Sequence, residues 1–193
     1  MSLFDLLFIL SFLASVATLI TAAVCAICKR GPRALRILRA YAICLGIYLG
    51  IVAIASLFVP RRVLRVGEPE CFDDWCISVE SFSSTPRQNG VSNVVRFQLS
   101  SRAGRVTQRE KNVVVYLTDN HGRRFDPALD SSAVPFDAQL QPQQSIATTR
   151  VFEVPADTSG LGLVIAHEGG FPIGWFIIGD EAWFRKPAIV PLR

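Results

Sequence analysis

Two uncharged runs, Leu6–Cys28 and Ala40–Val59, constrain this chain more than any other feature. The first has 23 residues and the second 20. At 1.5 Å per residue, helices over them are about 35 Å and about 30 Å long, enough to cross a hydrocarbon core of ~30 Å. Neither run contains proline; Pro60 stops the second, and Gly31–Pro32 breaks the chain between the two. The first run has no basic segment before it and carries Asp5 instead. It also exceeds the ~7–15 apolar residues of a signal peptide, so we read it as a retained span even with small residues around Ala22–Ala26. As buried core helices, two such runs would leave too little polar structure in 193 residues to cover them.

Charge sets the direction. Residues 1–59 hold one acidic and five basic residues, whereas 60–193 hold 15 of each, so the net charge of +4 comes from one short segment. A basic face for nucleic acid is thereby excluded. Lys29, Arg30, Arg33, Arg36 and Arg39 crowd a loop at 29–39. The positive-inside rule places that loop in the cytoplasm and both termini outside. Arg61, Arg62 and Arg65 weigh the other way, three against five.

Ala42, Gly46 and Gly50 lie four apart, and Gly46–Gly50 is a GxxxG pair of the kind that lets two backbones approach. Ala14, Thr18, Ala22 and Ala26 make a similar stripe on the first helix. The expectation is that these stripes pack the hairpin, with homodimerisation as the alternative. Cys25, Cys28 and Cys44 sit in apolar surroundings without histidine or acidic neighbours and read as small hydrophobes.

Residues 60–70 read as a tether and 71–193 as one β domain. Short alternating segments recur between turn signals. Ile77, Val79 and Ser81 share one face of a first strand, Val95, Phe97 and Leu99 of a second, and Val113, Val115 and Leu117 of a third. Asp119-Asn120-His121-Gly122 is a turn leading to Arg123–Phe125. Strands are expected at Ile146–Val154, at Leu161–Ile165, at Phe171–Ile178 after Gly169-Gly170, and at Trp183–Val190. The fold class is therefore a two-helix transmembrane hairpin followed by an all-β immunoglobulin-like sandwich.

Cys71 and Cys76 stand where the chain reaches this domain. In an oxidising compartment they pair, fixing the turn with Trp75 packed beside them. A redox-active pair wants a lowered thiol pKa, which Asp73 and Asp74 oppose.

Leu140-Gln141-Pro142-Gln143-Gln144, Val151-Phe152-Glu153-Val154-Pro155 and the strand Leu161–Ile165 resemble the C-terminal half of a bacterial telokin-like, immunoglobulin-like family of unknown function. There a Pro-Gly turn precedes a strand ending Phe-x-Val-Pro, and a strand of alternating leucines follows. Val113–Thr118 with Gly122–Phe125 resembles its middle hairpin. The resemblance spans roughly Ile77–Ile165 and implies a secreted or membrane-tethered domain on the outer face. Gln143 stands where the family has glycine, and the resemblance carries no catalytic residues.

Catalytic signatures are missing from the sequence: no GxSxG, no GxxxxGK[ST], no strand–GxGxxG–helix unit and no HExxH. His121 reads as a solvated turn residue and His167 as a strand-end partner of Glu168. Asp73 and Asp74 are too few for a calcium loop. No enzyme activity, cofactor or metal is expected. Phe171, Trp175, Phe176 and Trp183 lie in an aromatic stretch whose alternation cannot bury every residue, making them candidate partner contacts. The expected protein is a non-enzymatic, multi-pass inner-membrane chain whose extracytoplasmic domain binds a protein or envelope component. The alternatives are a redox or envelope-stress sensor using Cys71 and Cys76, and an accessory subunit docking through the GxxxG face.

Overall fold

A computed structural model describes residues 3–88, 90–169 and 186–192. They form a helical unit up to Pro60 and a β unit that begins at Arg61.

The helical unit contains α1, Leu3–Ile27, and α2, Gly31–Phe58. The expected basic loop shrinks to a turn at 28–30, with Lys29 left-handed at φ 57°. Pro32 is the reason. Read from sequence as a breaker, it occupies the first helical turn, where its missing N–H costs nothing and its fixed φ suits the helix. Arg33, Arg36 and Arg39 are therefore helical. Both helices are long and apolar enough to cross a membrane, and only 6% and 11% of their apolar windows is buried.

The helices pack on each other, but not through the glycines. In α1 the shielded positions include Ser11, Ser15, Thr18, Ala22 and Cys25, in steps of four and three. In α2 they include Ala34, Ile37, Tyr41, Tyr48, Val52 and Ser56. Ala42 and Gly46 are exposed, and a Cβ on Gly46 or Gly50 would meet no described atom within 4 Å. The expected stripe thus overlaps the seam at Thr18 and Ala22 on α1, while on α2 Ala42 and Gly46 lie off it and Gly50 is half-buried. Three hydroxyls of α1 are satisfied within the helix: Ser15 Oγ donates to the Ser11 carbonyl at 2.8 Å, Thr18 Oγ1 to Ala14 at 2.7 Å and Thr21 Oγ1 to Ala17 at 2.8 Å.

The β unit is an antiparallel two-sheet sandwich. Its strands are β1 Glu70–Phe72, β2 Trp75–Arg87, β3 Gly90–Ser101, β4 Val113–Thr118, β5 Arg124–Phe125, β6 Ser145–Val154, β7 Gly162–His167 and β8 Ala188–Pro191. One sheet runs β1-β2-β3-β6 and the other β5-β4-β7-β8. Alternation works as expected in β3, where Val95, Phe97 and Leu99 are buried and Arg96 and Gln98 exposed, and in β4, where Val113, Val115 and Leu117 point inward. It fails at Ser81. The register with β3 slips between Val79 and Ser81, so Ser81 is exposed and Phe82 turns toward the core instead. The core joins Trp75, Ile77, Phe97, Leu99, Leu117, Leu140, Phe152, Leu163 and Ile165, contributed by both sheets. Gln143, where the resembling family has glycine, takes the left-handed backbone such a turn requires, at φ 62°.

The strand expected at Phe171–Ile178 and the candidate contacts Phe171, Trp175, Phe176 and Trp183 lie outside the described residues. Of Trp183–Val190, β8 is described from Ala188.

Candidate functional site

The segment read from sequence as a tether, 60–70, is hydrogen-bonded into the sandwich from Arg61 onward. Val63 forms a parallel bridge with Ile189 of β8. The Leu64 amide donates to the Ile189 carbonyl at 2.8 Å, and the Ile189 amide donates to the Arg62 carbonyl at 3.0 Å. Leu64 is 1% exposed and belongs to the core. Arg61 Nε donates to the Pro187 carbonyl at 2.9 Å. Arg62 Nη1 lies 3.0 Å from Glu70 Oε2, whose side chain is largely buried. Gly67, at φ 87°, turns the chain so that its amide donates to Val79 at 2.8 Å. The physical cause is ordinary: an isolated leucine flanked by arginines finds the open edge of β8, and burying it offsets the ordering of its neighbours.

From this edge the chain enters the β1–β2 hairpin. Cys71 and Cys76 are register partners and form a disulfide with Cα atoms 4.0 Å apart. Asp73 takes the left-handed conformation at the turn, φ 53°, which aspartate tolerates through its short polar side chain. Arg102 N donates to the Asp74 carbonyl at 2.7 Å and ties the turn to the end of β3. Cys76 and Trp75 are fully buried, whereas Cys71 is half-buried.

Aromatic packing carries the disulfide end across to the second sheet. The Phe72 ring lies 6.2 Å from Trp75 and 5.6 Å from the His167 ring on β7. His167 Nε2 is 2.9 Å from Glu110 Oε1. Glu168, the partner expected from sequence, instead receives Arg124 Nη1 at 2.8 Å. Arg124 also stacks its guanidinium 4.0 Å from the Tyr116 ring and pairs with Asp126 at 2.8 Å. These hydrogen bonds from Arg124 to Asp126 and Glu168 raise its pKa.

The Asp119 turn is the other strongly polar feature. Asp119 Oδ1 accepts the amides of His121 and Arg123, both at 2.9 Å, and Oδ2 receives Arg123 Nε at 2.6 Å. Burial pushes this carboxyl up, but the hydrogen bonds and charge of Arg123 with the His121 amide outweigh it, so its pKa is lowered. His121 is exposed, as expected of a turn residue. Asp130 is likewise lowered, by hydrogen bonds from the Ser132 side chain and amide. Arg150, packed 4.4 Å from the Phe136 ring, has its pKa lowered by burial.

Sequence reasoning found the disulfide and the Asp119 turn. It missed Leu64, Arg62–Glu70 and Glu110–His167, which join residues brought together by the sandwich. Among the described residues, no group of three or more His, Cys, Asp or Glu side chains converges as a metal set. Lys29, Arg30, Arg33, Arg36 and Arg39 are all exposed on the turn and the first turns of α2.

No protein-family model matches the chain, and no curated protein does. Solved β-sandwich structures are similar at low identity. An uncharacterised β-sandwich protein from Clostridium difficile 630 shows 8% identity and a TM-score of 0.45, with 70% of this chain and 97% of that one covered. A conserved hypothetical protein from Bacillus anthracis shows 13% identity and a TM-score of 0.43 over 54% of this chain and 91% of that one. The secreted protein MPT63 from Mycobacterium tuberculosis shows 8% identity and a TM-score of 0.44 over 57% and 92%.

Proposed function

We propose that the chain is a non-enzymatic, membrane-anchored display module: two bilayer spans with the cationic turn in the cytoplasm hold an immunoglobulin-like sandwich outside the cell membrane, where it binds a protein or envelope component. One observation carries this reading. Two long apolar helices are almost bare of protein cover, and six residues after α2 ends at Phe58 the chain is already core, at Leu64. Bare apolar area on this scale is stable against lipid, not water. The internally satisfied hydroxyls of Ser15, Thr18 and Thr21 suit the same surroundings, because hydrocarbon offers no other partner.

The disulfide supports an oxidising, extracytoplasmic site for the sandwich. Burial of Cys76 favours a structural bond over a thiol switch, since exchange needs a thiolate to reach a sulfur. A protease added to sealed spheroplasts tests the arrangement. We expect the sandwich to be accessible in intact spheroplasts and an epitope after Arg193 to be lost. An epitope protected until lysis overturns the reading. Photocrosslinking from Trp175 and Trp183 then tests the binding role; crosslinks to one recurring envelope protein are expected, and none at either position counts against it.

A further inference from the structure

We propose that Arg30, Arg33 and Arg36 form a seat for the phosphate of an anionic phospholipid at the turn between α1 and α2; the proposal rests on the reading of these helices as bilayer spans. The structure changes what the cations are. Arg33, Arg36 and Arg39 stand on a 28-residue helix, not on a loose loop. Steps of three residues advance about 300° around a helix, so Arg30, Arg33 and Arg36 fall within roughly 120° of arc, with Arg33 in the middle. Together with Pro32 they line a shallow, open depression of about 460 Å³.

Among the described residues nothing acidic pairs with them. The sequence has no Asp or Glu from Leu6 to Gly67, and among the described residues none of the five cations of this turn makes an ion pair. No side chain caps the start of α2 and its first turn carries no acidic residue.

Depth selects the ligand. The uncharged part of α2 from Ala40 to Phe58 has 19 residues, or about 28 Å of helix, and fills a hydrocarbon core of ~30 Å by itself. Arg39 then marks the core boundary. Arg36, Arg33 and Arg30 follow at about 4.5 Å intervals outward, through the layer occupied by lipid phosphates. Arginine suits this task because its planar fork donates two hydrogen bonds to one phosphate and remains charged at interfacial depth. A single-sign cluster at that level, on the leaflet that carries anionic lipid, is complementary to a headgroup.

The test uses the full chain in nanodiscs of phosphatidylcholine containing a minor fraction of phosphatidylglycerol, with spin-labelled analogues of each lipid reporting retention at the protein. We expect phosphatidylglycerol to be retained preferentially. We expect Arg33→Gln with Arg36→Gln to cut that preference by up to about fivefold per arginine removed, since each basic residue near an anionic surface contributes about 1 kcal/mol. Arg33→Lys with Arg36→Lys keeps most of it, and Arg87→Gln with Arg102→Gln, both in the sandwich, leaves it unchanged. Equal retention of the two lipids, or a preference that survives Arg33→Gln with Arg36→Gln, overturns the seat. Inorganic phosphate binding to the chain with no lipid preference does so too, assigning the cations to a soluble anion. A chain that inserts but fails these arms refutes the seat alone, whereas one that never enters nanodiscs refutes the spanning reading as well.

Discussion

The Leu64 amide donates to the carbonyl of Ile189 at 2.8 Å, joining the segment that follows α2 to the final strand of the sandwich. Two residues 125 positions apart in the chain thus share one sheet edge, and the Leu64 side chain closes the core beneath it.

Leu64→Ala is expected to destabilise the sandwich by about 2–4 kcal/mol, the range for deleting a fully buried leucine. Urea unfolding followed by Trp fluorescence measures it. Val63→Ala, at a residue 62% exposed, is expected to lose less than about 0.5 kcal/mol.

Cys71→Ser with Cys76→Ser removes a cross-link closing a very short loop, for which chain entropy gives about 2 kcal/mol. Reductant is expected to lower the unfolding midpoint of the native chain and to leave that of the double variant in place. A reductant-insensitive native midpoint would contradict a stabilising disulfide.

Gln143 pays the left-handed conformation at φ 62° and recovers little from two long contacts, Nε2 to the Arg102 carbonyl at 3.4 Å and to the Ala103 carbonyl at 3.3 Å. Gln143→Gly relieves the steric cost of about 1–2 kcal/mol but adds unfolded-state entropy of about 0.5–1 kcal/mol. The net expectation is a gain of up to about 1 kcal/mol, read from the midpoint of chemical unfolding.

Acid is expected to weaken the sandwich through Asp119 and Asp130, whose folded pKa values are lowered. A depressed carboxyl contributes its full stability above the unfolded value of about 3.9 and loses it as pH falls through the lower folded value. The loss therefore begins near pH 4 and continues below it. Asp119→Asn is expected to lower Tm at neutral pH and to flatten the fall of Tm in this acid window. An unchanged profile would remove Asp119 from the account.

Ala22→Leu forces three extra carbons into the shielded seam of α1, where Ala22 is 4% exposed, and overpacking of this kind costs about 1–3 kcal/mol. Gly46→Leu places its side chain in open space and is expected to leave the hairpin intact. Steric-trapping measurements of helix-pair stability in detergent separate the two variants.

Much of this architecture is legible in the sequence because it is local. The alternation of Val95-Arg96-Phe97-Gln98-Leu99 declares a half-buried strand, Asp119 to Gly122 declares a turn, and the four residues between Cys71 and Cys76 suit a hairpin cross-link. Leu64 is not legible: Arg61-Arg62-Val63-Leu64-Arg65 has the composition of an exposed tether, and its burial depends on β8. His167–Glu110 hides for the same reason, with the partners 57 positions apart and Glu168 a more obvious neighbour. The glycine stripe misleads in the opposite sense. Small residues show which helix faces could approach closely, while the face in use, Ala34 to Ser56 by way of Tyr41 and Tyr48, includes bulky residues that no small-residue rule selects.

The bridge between Val63 and Ile189 is parallel, so both chain segments advance in the same direction along the sheet edge. A pull on Arg61 directed along the strand axis would load the two flanking hydrogen bonds together, in shear. These bonds must slide together; they cannot be peeled apart one after the other. A pull that enters the sandwich at Arg61 thus meets this stitch before it reaches β1.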